Sequence, residues 1–238
     1  MQQLFPGEVF ASTADFDIGI RQLIPRYDEM LEVITRCLPS TSLRILELGC
    51  GTGELSLKIL KRFPNAQLIA LDYSPRMLKF AQDKITASGY QKRWVGTQAD
   101  FGDWANNPEK LDIGSEFNAC VSSLAIHHLQ DEMKLKLFSR IAASLTQDGC
   151  FWNGDPILPE SSALAEVYQA AREEWSVEQG TNLTEVRAKL GTSSTQGYSS
   201  QDQLASLDAH LQMLSKGGFK TVAVPWKYYG LAVLGGWL

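Results

Sequence analysis

Three acids and three glycines are the residues here whose types and spacing point to chemistry. Glu47, Gly49, Gly51 and Gly53 fall in ILELGCGTGE, residues 45–54. Glycine tolerates positive φ, and with no side chain it lets a ligand come close to the backbone. A helix that starts after such a turn offers free N–H groups. One glycine would suit a tight turn and nothing more; three at alternate positions suit that poorly. Asp72 and Asp100 each close an apolar segment further on. An acid at the end of a second strand accepts hydrogen bonds from both hydroxyls of a ribose. One at the end of a third strand can accept from an adenine amino group, with Phe101 beside the base, while Tyr73 and Met77 could sandwich the ring.

The glycine spacing narrows the cofactor. A dinucleotide turn needs G-x-G-x-x-G, but the sixth position is Glu54, whose carboxylate would repel a pyrophosphate. A phosphate loop needs Gly-Lys-Ser/Thr, which is missing. What remains, E-x-G-x-G-x-G, suits a nucleoside without phosphates that carries a charged amino-acid tail.

Those residues must be held by strands and helices, and the pattern supplies them. LRILELG (43–49), AQLIALD (66–72), RWVGTQAD (93–100), FNACVSS (117–123) and GCFWNGDP (149–156) read as strands. Between them, apolar residues at helical spacing mark helices over 53–63, 74–89 and 131–145, the second with Ser74 as N-cap and Pro75 in its first turn. Strands alternating with helices imply parallel pairing and right-handed crossovers. FKTVAVPW and KYYGLAVLGGW follow a helix over 201–216 and are joined almost directly, so they form an antiparallel hairpin. Seven strands result. Residues 14–37 read as helix in two pieces, the second starting near Pro25. The chain thus divides into a helical cap (1–40), an α/β core (41–156), a helical lid or substrate insertion (157–200), and a last helix and hairpin that complete the core (201–238). GTSSTQGYSS (191–200) reads as a flexible return loop.

Composition excludes several classes. The net charge is −5 with no Lys/Arg cluster, which argues against nucleic acid as a partner. The four cysteines form no C-x-x-C pair, so no metal site is expected, and they read as small buried hydrophobes. MQQLFPGEVF lacks the features of a signal peptide, and the longest uncharged apolar stretch, YYGLAVLGGWL, is too short to span a bilayer. A soluble cytoplasmic protein without a membrane partner is the expectation; a homodimer is left open.

With these residues in view, the sequence resembles the class I S-adenosylmethionine-dependent methyltransferases. The resemblance spans roughly residues 40–156 and the final hairpin, and rests on ILELGCGTGELSL, ALDYSPRML, TQAD and ACVSSLAIHHL. It implies a Rossmann-like α/β fold, a seven-stranded, mostly parallel sheet with an antiparallel C-terminal strand and helices on both faces. It implies S-adenosylmethionine as cofactor, with Gly49, Gly51 and Gly53 at its methionine end, Asp72 on the ribose, Met77 against the adenine and Asp100 on the adenine amino group. Ser122 and the loop after it would border the transferable methyl. Tyr27 would either bind the methionine carboxylate or merely pack. IRQLIPRYDEML (20–31) and WKYYGLAVLGGW (226–237) are similar to a subgroup that includes the carboxy-S-adenosylmethionine synthase of wobble-uridine modification, and also to many small-molecule methyltransferases. Carboxy-S-adenosylmethionine binders there use an arginine on the last helix. Residues 201–216 contain none, which favours ordinary S-adenosylmethionine.

The acceptor side is less constrained. His127 and His128 are the histidines near the expected methyl, and either could serve as general base. The competing reading is that the pair shapes the loop; of the two, His127 is nearer the strand end. Trp152, Asp155, Tyr168, Trp175, Trp226 and Tyr228 are candidates to line a pocket for a small-molecule acceptor. Three activities fit: a small-molecule methyltransferase, an enzyme of a tRNA-modification or carboxy-S-adenosylmethionine pathway, and a non-catalytic S-adenosylmethionine-binding protein.

Overall fold

The computed structural model describes residues 15–41, 43–190 and 202–238. The opening decapeptide and the 191–200 loop lie outside these residues. Two short helices come first, α1 (Phe16–Leu23) and α2 (Tyr27–Arg36). Then strands and helices alternate: β1 (Arg44–Leu48), α3 (Glu54–Arg62), β2 (Gln67–Asp72), α4 (Pro75–Ala87), β3 (Trp94–Gln98), α5 (Phe101–Asn106), β4 (Phe117–Ser123), α6 (Asp131–Ser144) and β5 (Leu145–Pro156). Helices α7 (Ser162–Glu178) and α8 (Leu183–Leu190) follow, then α9 (Leu207–Lys216) and the hairpin of β6 (Thr221–Tyr228) and β7 (Leu231–Trp237).

The sheet order is β3-β2-β1-β4-β5-β7-β6, with β7 antiparallel to both neighbours. Strand order reverses between β1 and β4. The crevice outside the carboxyl ends of such a pair is where open α/β sheets take ligands. Alternation along the strands feeds two cores. Ile45, Leu68, Ala70 and Trp152 face the side covered by α2, α3 and α4, whereas Leu46, Leu48, Leu71 and Phe151 face α5, α6 and α9.

Several boundaries differ from the sequence reading, each for a local reason. Asp100 does not end β3; it caps α5, a helix too short to leave a periodic pattern. Strand β5 starts at Leu145 rather than residue 149, because its early residues pair with Phe117 across a shift in register. Helix α9 starts at Leu207, not residue 201: Ser206 accepts from the Ala209 N–H and caps it there. Ser74 caps α4 by accepting from Met77 N–H at 3.2 Å.

Candidate active site

All three motif glycines have positive φ: 68° at Gly49, 51° at Gly51 and 83° at Gly53. Their surroundings differ. A Cβ on Gly49 would lie 2.3 Å from the Ala125 Cβ, and one on Gly53 would lie 3.2 Å from Ala81 on α4. A Cβ on Gly51 would meet nothing within 4 Å. Packing therefore explains two glycines, and open space borders the third. The turn is fixed by main chain: Gly49 N–H and Cys50 N–H both donate to the Leu71 carbonyl, at 2.8 and 3.0 Å.

Asp72 is buried and ties this turn to the start of α4. Its Oδ2 accepts from Gly51 N–H at 2.8 Å and its Oδ1 from Ser74 N–H at 2.9 Å. A carboxylate offers about four acceptor positions, so these two bonds do not by themselves saturate it. Met77 is buried and Tyr73 half-buried beside it. Asp100 is exposed, and its Oδ1 takes the Gly102 and Asp103 N–H groups; Phe101 is buried below the Gly49 turn. Ser122 donates from Oγ to the Leu48 carbonyl at 2.9 Å, tying the end of β4 to that of β1.

Glu47 is buried in β1 and faces α3. Ser56 on α3 donates to its carboxylate and in turn accepts from Trp94 Nε1 at 3.0 Å. Burial pushes the Glu47 carboxyl up to about 8, with the nearby Asp72 charge adding to the rise. Glu54 does not face the crevice as a bare charge either, so the repulsion argument against a pyrophosphate loses its footing. Lys84 and Arg21 bond its two oxygens. Burial opposes ionisation of Glu54, but these two cations outweigh it and hold its carboxyl below the usual range.

Arg21 belongs to α1, which this network fastens over α3 and α4. Asp17 on the same helix accepts from Thr52 Oγ1 inside the glycine motif and pairs with Lys84. Tyr27 is buried in the core beneath, with the Arg21 guanidinium 5.5 Å from its ring centre. Sequence reasoning missed this cluster, because its bonded partners lie 30 or more residues apart.

A second polar cluster stands at the ends of β4 and β5. The chain enters it through Leu124 at φ 52°, a conformation that costs a non-glycine residue roughly 1–2 kcal/mol. His127 is buried. Its Nδ1 is 2.7 Å from Asp155 Oδ1, and its backbone N–H donates to Asp155 Oδ2 at 3.0 Å. Asn153 donates to the same oxygen at 2.9 Å. On the far side, His127 Nε2 is 3.6 Å and His128 Nδ1 3.4 Å from Asp202 Oδ1. Burial disfavours the charged form of His127, but Asp155 and then Asp202 outweigh it, and its pKa is raised. Burial and the neighbouring His127 lower that of His128, despite Asp202. An imidazole open to an acceptor thus fits the half-exposed His128 better than His127, whose two nitrogens both face carboxylates. Asp202 had no signal in sequence; it stands 75 residues from His127 and follows a stretch of polar residues.

The aromatic candidates do not converge as a set. Trp152 lies in the core, edge-on to Trp237. Trp175 donates to the Arg21 carbonyl at 2.8 Å, which binds α7 to α1. Trp226 donates to Glu29 at 3.1 Å. Asp155 is committed to His127. Tyr168 and Tyr228 do meet, with Tyr229, Arg172, Pro25 and Leu231, around a cavity of about 380 Å³ between α7 and the β6–β7 turn. Leu231 pairs with Pro156, so the cavity opens on the same edge of the sheet as the ends of β4 and β5.

A glycine turn with one open face, set at the strand-order reversal of a seven-stranded sheet whose last strand pair is antiparallel, is the class I methyltransferase architecture. Residues 45–149 match the family described as a methyltransferase domain. Over 91% of its length the chain is 23% identical to the carboxy-S-adenosyl-L-methionine synthase of Nautilia profundicola, covering 88% of that protein. An O-methyltransferase family protein from Burkholderia thailandensis superposes with a TM-score of 0.67 at 14% identity, over 94% of this chain and 59% of that one. PigF, solved with SAH, gives a TM-score of 0.63 at 16% identity, over 95% of this chain and 58% of that one. The chain thus spans under two thirds of these two solved proteins. Residues 45–149 thus carry a methyltransferase domain, and these similarities together support a class I methyltransferase with S-adenosylmethionine as its cofactor. Among the described residues no helix is long and apolar enough to cross a membrane.

Proposed function

We propose that the chain transfers the methyl of S-adenosylmethionine by in-line displacement to a small-molecule acceptor with an aromatic or otherwise apolar body. The observation that carries this reading is the open space beside Gly51, next to the buried Asp72 carboxylate and on the same sheet edge as the tyrosine-lined cavity. In this reading Asp72 holds the ribose. Tyr73, Met77 and Phe101 surround the adenine, and Asp100 takes its amino group with the lone pairs that capping leaves. The Gly49–Gly53 turn receives the methionine end, with Ser122 and Tyr27 behind it; Glu47 acts through the turn it supports. The bound cofactor supplies a methyl already activated on a sulfonium. The protein's part is to exclude water and align the acceptor. The loop carrying His127 and His128 meets the acceptor at the ends of β4 and β5.

In the cap, helices α1 and α2 close over the cofactor side, and in the insertion, helices α7 and α8 select the acceptor. Tyr168 and Tyr228 offer flat apolar walls, with Trp226 stacked on Tyr228 at 6.3 Å between ring centres, while Trp152, Trp175 and Asp155 act through the elements they hold together. The cavity volume lies in the range usual for small-molecule sites, about 300–1,000 Å³. A cytoplasmic enzyme acting without nucleic acid fits the acidic composition.

The test is transfer of label from methyl-labelled S-adenosylmethionine into small apolar acceptors. Tyr168→Ala and Tyr228→Ala should each raise the acceptor KM by about tenfold, with cofactor affinity kept. Wild-type KM in both variants would contradict the acceptor assignment. A carboxy-S-adenosylmethionine-type activity is the second reading, favoured by the match to the synthase over nearly the whole chain. Against it, α9 has no arginine. Mass spectrometry of the ligand that co-purifies separates the two by the mass of one carboxylate.

A further inference from the structure

Three lone-pair atoms converge beside the end of β4. His127 Nε2 and His128 Nδ1 lie 3.6 and 3.4 Å from one oxygen, Asp202 Oδ1. Donor atoms of all three residues lie within 4.8 Å of one another. Both separations are long for a hydrogen bond. They match the spacing of two ligands on one tetrahedral ion, about 3.3–3.6 Å when each metal bond is about 2.0–2.2 Å.

The surroundings fix the donors in place. His127 Nδ1–H donates to Asp155, the tautomer being assigned from that contact, so its Nε2 carries the lone pair that faces Asp202. A histidine ligand usually donates its other N–H to a carboxylate in this way. Asp155 is itself held by Asn153 and by the His127 backbone N–H. The His128 Nδ1 atom is buried and makes no hydrogen bond. Gln203 N–H donates to the His127 carbonyl at 2.8 Å, and the buried Lys134 donates to the Gln203 carbonyl. Residue 202 is thereby pinned to the histidine turn.

We propose that His127, His128 and Asp202 bind a transition-metal dication of the zinc type, with Asp155 as the carboxylate behind His127. Two imidazoles and one carboxylate suit zinc, cobalt or nickel better than magnesium or calcium. Three protein ligands leave a fourth position open. The His128 side chain is 28% exposed and that of Asp202 10%.

The experiment uses the untagged full chain, stripped with a chelator and then titrated with zinc by calorimetry and with cobalt by visible absorption. It needs neither cofactor nor acceptor, so its failure leaves the methyl-transfer reading untouched. One equivalent of zinc should bind at micromolar Kd or tighter, and cobalt should give the intense bands of a tetrahedral site. Asp202→Asn and His128→Ala should each weaken zinc binding at least tenfold while the circular dichroism of the metal-free chain stays that of wild type. Asp155→Asn should weaken it by about 10–100-fold. Absence of saturable binding would overturn the proposal and leave His127 as an imidazolium between two carboxylates. Equal binding by wild type, Asp202→Asn and His128→Ala would overturn it as well.

Discussion

At the ends of β1 and β2 the geometry is made largely by main chain, whereas at the ends of β4 and β5 it is made by side chains from separate segments. The first region uses Gly49, Cys50 and Gly51 N–H groups, the Leu71 carbonyl and one aspartate, all close to strand ends. The second draws His127 and His128 from one loop, Asn153 and Asp155 from β5, Asp202 from beyond α8, and Lys134 from α6. Main-chain geometry tolerates many side chains but few backbone changes. A side-chain cluster tolerates backbone variation but loses much when one member is removed. The two regions should therefore fail in different ways.

The sharpest contrast is expected from Asp155→Ala. Removing Asp155 leaves the His127 Nδ1–H, the His127 backbone N–H and the Asn153 amide without their acceptor, and one buried donor left unpaired costs about 1–3 kcal/mol. The denaturation midpoint should fall accordingly; a loss under about 1 kcal/mol would mean that His127 is not held as described.

In the first region the matching change is Gly49→Ala. The new Cβ would overlap Ala125. Overpacking alone costs about 1–3 kcal/mol, and the positive φ adds strain. Gly51→Ala meets open space and should cost only that strain, roughly 1 kcal/mol. Equal losses at both positions would dissolve the distinction between the packed and the open glycine.

A gentler test is pH. The Glu47 carboxyl keeps its proton in the folded state up to about 8, against 4.5 for the ordinary group. Through that window the folded chain binds more protons than the unfolded one. Stability from this group is therefore fully present below the lower value and is lost as pH rises, by at most about 1.4 kcal/mol per pH unit. Glu47→Gln should flatten that slope in thermal melts. An unchanged slope in the variant would assign the pH dependence to other groups.

The same contrast explains what the sequence could reveal. ILELGCGTGE, Asp72 and Ser74 were legible because their partners are near in sequence or recur at strand ends, where a period of two and a glycine turn leave clear marks. The alternation that predicts the seven-stranded sheet is likewise local. The His127–Asp155–Asp202 arrangement joins residues 28 and 75 positions apart, and nothing in their neighbours marks them as partners. Trp152, Trp175 and Trp226 show the same limit. Aromatic type signals burial, but which wall each ring packs against follows from crossings such as α2 over β5, where a Cβ on Gly154 would already touch Ile34 and Met30.

The central claim is that the open face of Gly51 receives the cofactor, and calorimetric titration of S-adenosylmethionine into wild type, Gly51→Ala and Gly51→Leu addresses it directly. Wild type should bind one equivalent. Gly51→Ala should stay within about tenfold, since roughly 1 kcal/mol of backbone strain is all that it adds. Gly51→Leu, whose side chain projects into the space now open, should lose at least a hundredfold in affinity while keeping a wild-type circular dichroism spectrum. A folded Gly51→Leu protein that binds S-adenosylmethionine as tightly as wild type would contradict the account.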